Sequence, residues 1–472
     1  MKYPYHQRLL ATGVCVAMAL LAGCAVTPSI NSSEMAALDL LGPGYSRLGN
    51  EAAPAHPATT LNADEATRLL LLHSPQVRGL LASAGVADAQ RAQAALISNP
   101  KFATGALRPE GGGRWQLDFG LTQSLVDVFT RGLRQQLAEQ QWLETRWKIQ
   151  QGLQSLVSEL QHTWFSAIAA EQIRQLRAVQ YQASRARVTL AQSLYDAGNI
   201  PESTLLLHQL DASQQQSNLE QAALTASGEK RTLVYLLGLA AADVPELPGA
   251  LANLPDEHWQ ADTLIAEGKT HQPLLRLLAE QQHQLQQQSK LTGQSTWRDI
   301  SVGIEAEREF DGSWNKGGHI EWGLPLFDQG QYRQQATRAL LAQNEAQQSD
   351  ANLKLVQQVT ASLEQMHYAR AAQTRAAAAA ENANKRLALL QREVNFMITS
   401  PFELLAGKQH LLQFEEEGIR ARESYWLARN NLEQALGKQL PVPETIGVPA
   451  NEPPQEDQSQ HNHHHHGAHH HD

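Results

Sequence analysis

Cysteine is nearly absent from this chain. Its 472 residues contain two, Cys15 and Cys24, too few and too close to one end for a disulfide framework, a cysteine-rich metal centre or a thiol-based active site. Aromatic residues are also sparse, at 6%. Beyond residue 24 no apolar run approaches the roughly 18 residues that a membrane-spanning helix requires. Positive charge is in short supply as well: 38 Lys and Arg stand against 48 Asp and Glu without a basic cluster, which argues against a nucleic-acid surface. Enzymatic signatures are missing too. Gly268-Lys269-Thr270 ends like a phosphate-binding loop, but Thr263 stands where the first glycine belongs, so the segment reads as a helix break. No H-E-x-x-H helix and no G-x-S-x-G elbow occurs. The chain is therefore not expected to be an enzyme or to require a cofactor, and any crossing of a membrane by its mature part must use strands.

What the sequence does contain begins at its N-terminus. Lys2 and Arg8 precede an apolar run from Leu9 to Leu21, closed by Leu21-Ala22-Gly23-Cys24. This is the pattern of a bacterial lipoprotein signal, with residues 1–23 removed and Cys24 carrying lipid. Ala25 follows the cysteine, with no aspartate to hold the protein at the inner membrane, which points to the outer membrane of a Gram-negative cell. Residues 24–62 are rich in Pro, Gly, Ser and Ala and read as a lipid-anchored tether; residues 441–472 carry Pro441, Pro443, Pro449, Pro453 and Pro454 and then a histidine-rich run, and read as a tail without a core.

Between the tails the sequence is duplicated. His73-Ser74-Pro75 to Arg78 aligns with His271-Gln272-Pro273 to Arg276, and Gly132 with Gly330; Asp196 to Leu206 aligns with Asn395 to Leu405, and Leu237-Gly238 with Leu436-Gly437. The copies are placed at 63–240 and 258–440, joined by a linker at 241–257. Each opens with a helix broken at Pro75 or Pro273. A strand pair follows. Trp115, Leu117, Phe119 and Leu121 alternate with polar or small residues, as do Ile320, Trp322, Leu324 and Leu326, and the partner strands fall at about Pro100 to Leu107 and Asp299 to Arg308.

Long helical stretches come next, about Leu133 to Tyr195 and Gln331 to Asn395. Their apolar stripes include Leu153, Leu156, Leu160, Trp164 and Ile168 in the first, and Val356, Val359, Leu363 and Met366 in the second. At 1.5 Å per residue such a helix extends roughly 95 Å. A turn at Pro201 or Pro401 reverses the chain, and a shorter helix returns to Gly238 or Gly437, where a C-terminal glycine belongs. The fold class is thus mainly α with a small β portion. Four strands cannot close a barrel alone; in lipid they must be completed by other copies, giving 8 strands from two chains or 12 from three.

At Gly323-Leu324-Pro325-Leu326-Phe327-Asp328-Gln329-Gly330, at Tyr195-Asp196-Ala197-Gly198 and at Ser400-Pro401-Phe402-Glu403-Leu404-Leu405 the sequence resembles the TolC-type outer-membrane efflux proteins, over about Leu61 to Leu440. The first copy departs from its counterpart by reading five residues longer between Leu121 and Gly132. The resemblance implies a homotrimer whose transmembrane β-barrel has 12 strands, four per chain, continued by a periplasmic α-helical barrel. It also implies docking with a periplasmic adaptor (membrane fusion protein) and an inner-membrane RND pump that supplies the energy.

The candidate site residues follow. Glu403 lies at a helix tip where the resembled family often carries an acidic gate residue. In a trimer it would form a ring of three carboxylates; alternatively it is an ordinary first-turn acid stabilised by its helix dipole. Asp196 and Glu202 at the other tip are further candidates for the periplasmic gate or for contact with the adaptor. His461, His463, His464, His465, His466, His469, His470 and His471 make a tail suited to borderline divalent metals, and the interruptions Asn462 and Gly467-Ala468 favour a natural segment over a purification tag. With only Met35, Met366 and Met397 as soft ligands after cleavage, Zn, Co, Cd or Ni fits better than Cu(I) or Ag(I). The expectation is an efflux channel for heavy-metal cations, in the CzcC-like and CusC-like branch. A channel for organic drugs and a pore-free structural lipoprotein are the alternatives.

Overall fold

The computed structural model describes residues 40–41, 60–292, 300–323, 326–327 and 329–441. Cys24 and the histidines from His461 to His471, like most of the tether and tail, lie outside the described residues.

One order of elements occurs twice. Helices α1 (Ala63–His73) and α2 (Pro75–Ala94) lead to strands β1 (Lys101–Leu107) and β2 (Gln116–Ser124), then to a long helix α3 (Val126–Asp196) and its return α4 (Glu202–Leu237). The second round has α5 (Ala261–His271), α6 (Pro273–Thr292), β3 (Ile300–Arg308), β4 (Trp314–Trp322), α7 (Gln331–Asn395) and α8 (Pro401–Leu436). Local chemistry explains the boundaries. Asn62 caps α1 by accepting from the Glu65 amide at 2.7 Å, and Pro75 interrupts the helix and opens the next one. Both return helices end on a left-handed glycine, Gly238 at φ 67° and Gly437 at φ 70°.

The cores of the two rounds share aligned positions, among them Leu160 with Val359, Leu233 with Leu432 and Leu237 with Leu436. Leu70, Val77, Leu153, Leu160, Leu233, Leu236 and Leu237 are buried together in the first. In the second, Leu264, Leu355, Val359, Tyr425, Trp426, Leu432 and Leu436 do the same. Phe165 on α3 stacks on Trp426 of α8 with ring centroids 5.4 Å apart, tying the rounds together. The segment between α4 and α5 is strapped across this seam. Leu251 packs with Ile168, Ile173 and Ile419, and the chain before α1 is hydrogen-bonded to it through the Leu61 amide and the Glu246 carbonyl at 2.7 Å. The strap is fastened by a buried ion network. Arg429 donates to both Glu257 oxygens at 3.3 Å, to Glu433 and to the Pro441 carbonyl at 2.7 Å, while the Tyr425 hydroxyl donates to Glu257 at 3.2 Å.

At 71 residues, α3 extends roughly 105 Å. The helices pack in the lateral order α4–α3–α8–α7, as two antiparallel hairpins side by side. The four strands form a single antiparallel sheet in the order β1-β2-β3-β4, so the junction between the rounds is the β2–β3 pair, with Leu117 opposite Arg308 and Ser124 opposite Ser301.

Several sequence expectations need correction. The first long helix starts at Val126 rather than near Leu133, and Gly132 lies inside it. No proline interrupts that stretch, and the Leu125 carbonyl accepts from the Val128 and Phe129 amides, so the helix begins directly after the strand. Its aligned partner Gly330 is the N-cap of α7 at φ 82°, so the two glycines occupy different conformations. Strand β4 spans Trp314–Trp322 and therefore ends before Leu326, which is exposed outside it; Leu324 lies outside the described residues. Val356 is exposed rather than part of the buried stripe of α7. Gly268 does not break a helix: it lies within α5, where an added Cβ would meet Leu355 at 2.8 Å, so its role is close packing of α5 on α7.

Candidate functional site

Register sorts the sheet into two unlike faces. One face carries Phe102 from β1, Leu117, Phe119 and Leu121 from β2, Val302, Ile304 and Arg308 from β3, and Trp314, Lys316, Ile320 and Trp322 from β4. Phe102, Ile304, Trp314 and Ile320 on it are more than half exposed. Rings run across this face: Phe102 stacks on Phe119 at 6.5 Å, and Phe119 on Trp314 at 6.3 Å. The other face carries Asp118, Glu305, Glu307 and Glu321 with His319, Ser301 and Thr122, and Lys101 is its one cation. His319 sits over Gly303, where any Cβ would meet the imidazole at 2.5 Å, and its Nδ1 is 3.7 Å from Glu305. Both edge strands, β1 and β4, lack a partner on their outer side among the described residues. No described helix is long and apolar enough to cross a membrane.

The two helix hairpins end together, far along the helices from the sheet. His208 on α4 stacks face to face on Phe402 at the start of α8, with centroids 4.7 Å apart. The three predicted tip carboxylates are all here, yet they make no contact with one another among the described residues. Asp196 accepts from Gln192 at 2.8 Å, Glu202 stands in the first turn of α4, and Glu403 stands in the first turn of α8. Glu403 is 3.8 Å from Arg386 of α7, and both side chains are more than half exposed. Sequence reasoning missed Arg386, whose only signal is its place in the last three turns of a helix beside the tip.

The two turns share a hydrogen-bonding pattern but not a composition. Ala197, Gly198 and Asn199 bond back to Ser193, Tyr195 and Leu194; Phe396, Met397 and Ile398 bond back to Arg392, Val394 and Glu393. Gly198 has φ 74° and Met397 φ 57°, so methionine occupies a left-handed position that glycine fills in the other turn. The left-handed cost of about 1–2 kcal/mol for methionine exceeds the flexibility cost of about 0.5–1 kcal/mol for glycine. Met397→Gly is thus expected to leave the melting temperature unchanged or raise it slightly, a result that thermal unfolding of the purified protein would check.

A half-buried carboxyl lies further along the helical layer. A cavity of about 340 Å³ between α3, α4 and α8 is lined by Ser166, Arg177, Thr225, Glu229, Arg420 and Glu423. Burial pushes the Glu423 carboxyl up, and the Glu229 charge adds to this, against a Ser166 hydrogen bond and Arg420. A raised carboxyl pKa favours the fold at acid pH, and that contribution is lost as pH rises through the folded value. Glu423→Gln should therefore raise the melting temperature at neutral pH and converge with wild type below the ordinary carboxylate range.

No family model matches the sequence, and no curated protein matches it. Solved structures do. The outer membrane protein VceC from Vibrio cholerae superimposes with a TM-score of 0.65 at 14% identity, over 80% of this chain and 96% of that one. The CmeC outer membrane channel of Campylobacter jejuni gives 0.65 at 12%, over 83% and 91%. CusC, described for its transmembrane channel formation, gives 0.62 at 12%, over 82% and 95%. The chain has an outer-membrane channel fold.

Proposed function

We propose that the chain is the outer-membrane channel subunit of a tripartite efflux system, acting as a lipid-anchored homotrimer. The observation that carries this is the sheet, apolar on one face and acidic on the other, with neither edge strand paired on its outer side among the described residues; the apolar face would meet lipid and the acidic face would line the pore. Three copies, with β1 of each paired to β4 of the next, satisfy every edge and make a 12-stranded barrel. The flanks of the helical layer support the same assembly. Leu207, Leu210, Leu224 and Tyr235 on α4 and Leu353, Tyr368 and Leu389 on α7 are exposed, and these two helices occupy its opposite sides. The tips would meet a periplasmic adaptor, itself coupled to an inner-membrane RND pump, with Glu403, Asp196 and Glu202 at the gate.

The cargo we infer is a heavy-metal cation. Four carboxylates per chain on the lining face, Asp118, Glu305, Glu307 and Glu321, favour cations over anions. The histidines from His461 to His471 would bind or buffer divalent metal before it enters. Cys24 would carry the lipid.

The test is metal and drug sensitivity of a deletion strain complemented with the full-length gene. Rescue against Zn, Co, Cd or Ni alone supports the proposal; rescue against dyes and antibiotics alone makes it a drug channel; no rescue together with no conductance points to a pore-free lipoprotein. In planar bilayers, replacing Asp118, Glu305, Glu307 and Glu321 with their amides should bring the cation-to-anion permeability ratio down toward unity.

A further inference from the structure

The apolar face of the sheet is not uniformly apolar. At its hairpin end it carries Arg108, opposite Trp115 just beyond the β1–β2 ladder, and then Arg308 and Lys316. At its helix end it carries Leu121, Val302, Ile300, Ile320 and Trp322, with no cation. The carboxylates of the sheet all lie on the other face. We propose that the hairpin end binds the phosphate groups of an anionic glycolipid in the outer leaflet. This rests on the outer-membrane reading above, since the hairpin end is the one facing away from the periplasmic helices.

Three features favour a bound phosphate over cations that merely reach into water. The first is the asymmetry: long basic side chains can snorkel to either membrane surface, yet here they occupy one end. The second is their pairing. The side chains of Arg108, Arg308 and Lys316 form no hydrogen bond or ion pair among the described residues, although acids are close in sequence. Glu307 accepts from Gln116, and Glu309 accepts from Asn315 at 3.0 Å, so these neighbours are engaged elsewhere. The third is the aromatic setting. The Arg108 guanidinium lies 5.7 Å from the centre of the Trp115 ring, and Arg308 stands directly between Leu117 and Trp314. Lys316 is diagonal to Arg308 across the β3–β4 pair, roughly 7–8 Å away, a span that one phosphate group bridges. Rings at the level of the headgroups with guanidinium and ammonium groups beside them recognise a lipid that is acylated and phosphorylated together.

The test uses the full-length protein reconstituted into phosphatidylethanolamine vesicles containing either diphosphoryl lipid A or its dephosphorylated derivative. Lipid retained through purification would be quantified by native mass spectrometry. The wild type should retain the diphosphorylated lipid preferentially, and each of Arg108→Gln, Arg308→Gln and Lys316→Gln should reduce that preference about fivefold. Arg308→Lys should keep most of it. Equal retention of the two lipids, or a triple variant that inserts and retains lipid like wild type, overturns the proposal. Where the triple variant fails to fold, as read by circular dichroism, the single variants decide. Failure of the wild type to insert into any vesicle would instead overturn the outer-membrane reading and this inference with it.

Discussion

Replacing Arg429 with methionine lowers the stability of the detergent-solubilised protein by about 3–5 kcal/mol, the cost of leaving buried charge without its partner. The Arg429 side chain is 6% exposed, with Glu257 at 7% and Glu433 at 10%. Methionine fills most of the volume but takes away the cation that Glu257 and Glu433 face and a donor to the Pro441 carbonyl. The outcome that identifies the mechanism is the triple variant Arg429→Met, Glu257→Gln, Glu433→Gln, which should be markedly more stable than the single change because no buried charge remains. If Arg429→Met alone melts like wild type, the network does not hold the strap. Because Glu257 lies in the connection between the two rounds, limited proteolysis of the single variant should also cut near residue 257 faster than in wild type.

The second large effect concerns the paired glycines that end α4 and α8. An alanine Cβ at Gly238 would lie 2.7 Å from the His73 carbonyl oxygen and 3.0 Å from Pro75. At Gly437 it would lie 2.9 Å from Pro273 and 3.0 Å from the His271 carbonyl. These are backbone and ring atoms that cannot swing aside, and both glycines are left-handed. Left-handed strain and overpacking together place Gly238→Ala and Gly437→Ala at about 2–5 kcal/mol destabilising. Gly228, inside α4 with nothing within 4 Å of an added Cβ, provides the contrast: Gly228→Ala should stabilise by about 0.5–1 kcal/mol. Equal effects at Gly228 and Gly238 in equilibrium unfolding would refute the packing argument.

Those glycines also show what could be read from the sequence. Leu237-Gly238 and Leu436-Gly437 gave both the duplication and the helix ends, because a left-handed cap admits few other residues. Pro75 and Pro273 marked the helix breaks for an equally local reason. The limits of the strands were less legible. Apolar alternation around Leu324 and Leu326 continues past the end of β4, since alternation reports the face a residue takes and not where pairing stops. The early start of α3 was hidden because nothing in Val126 to Gly132 forbids either helix or loop. In the candidate site the acids of the polar sheet face were visible only as the polar half of each alternation. The Arg386 contact of Glu403 was invisible, because it depends on how two hairpins lie side by side.

The β2–β3 pair sets an order of events during folding. Each helix hairpin and each strand hairpin closes through neighbours in sequence, whereas Ser124 must find Ser301 across an entire long hairpin and the strap beyond it. Loop-closure entropy delays such a contact until the intervening helices have formed and docked. A newly made chain therefore passes through a stage with finished helices and unjoined strands whose apolar sides face water. For the outer-membrane subunit proposed above, slow capture into the bilayer, rather than slow helix formation, would set the rate of maturation, and the same interval is when the unpaired strands are most exposed to aggregation.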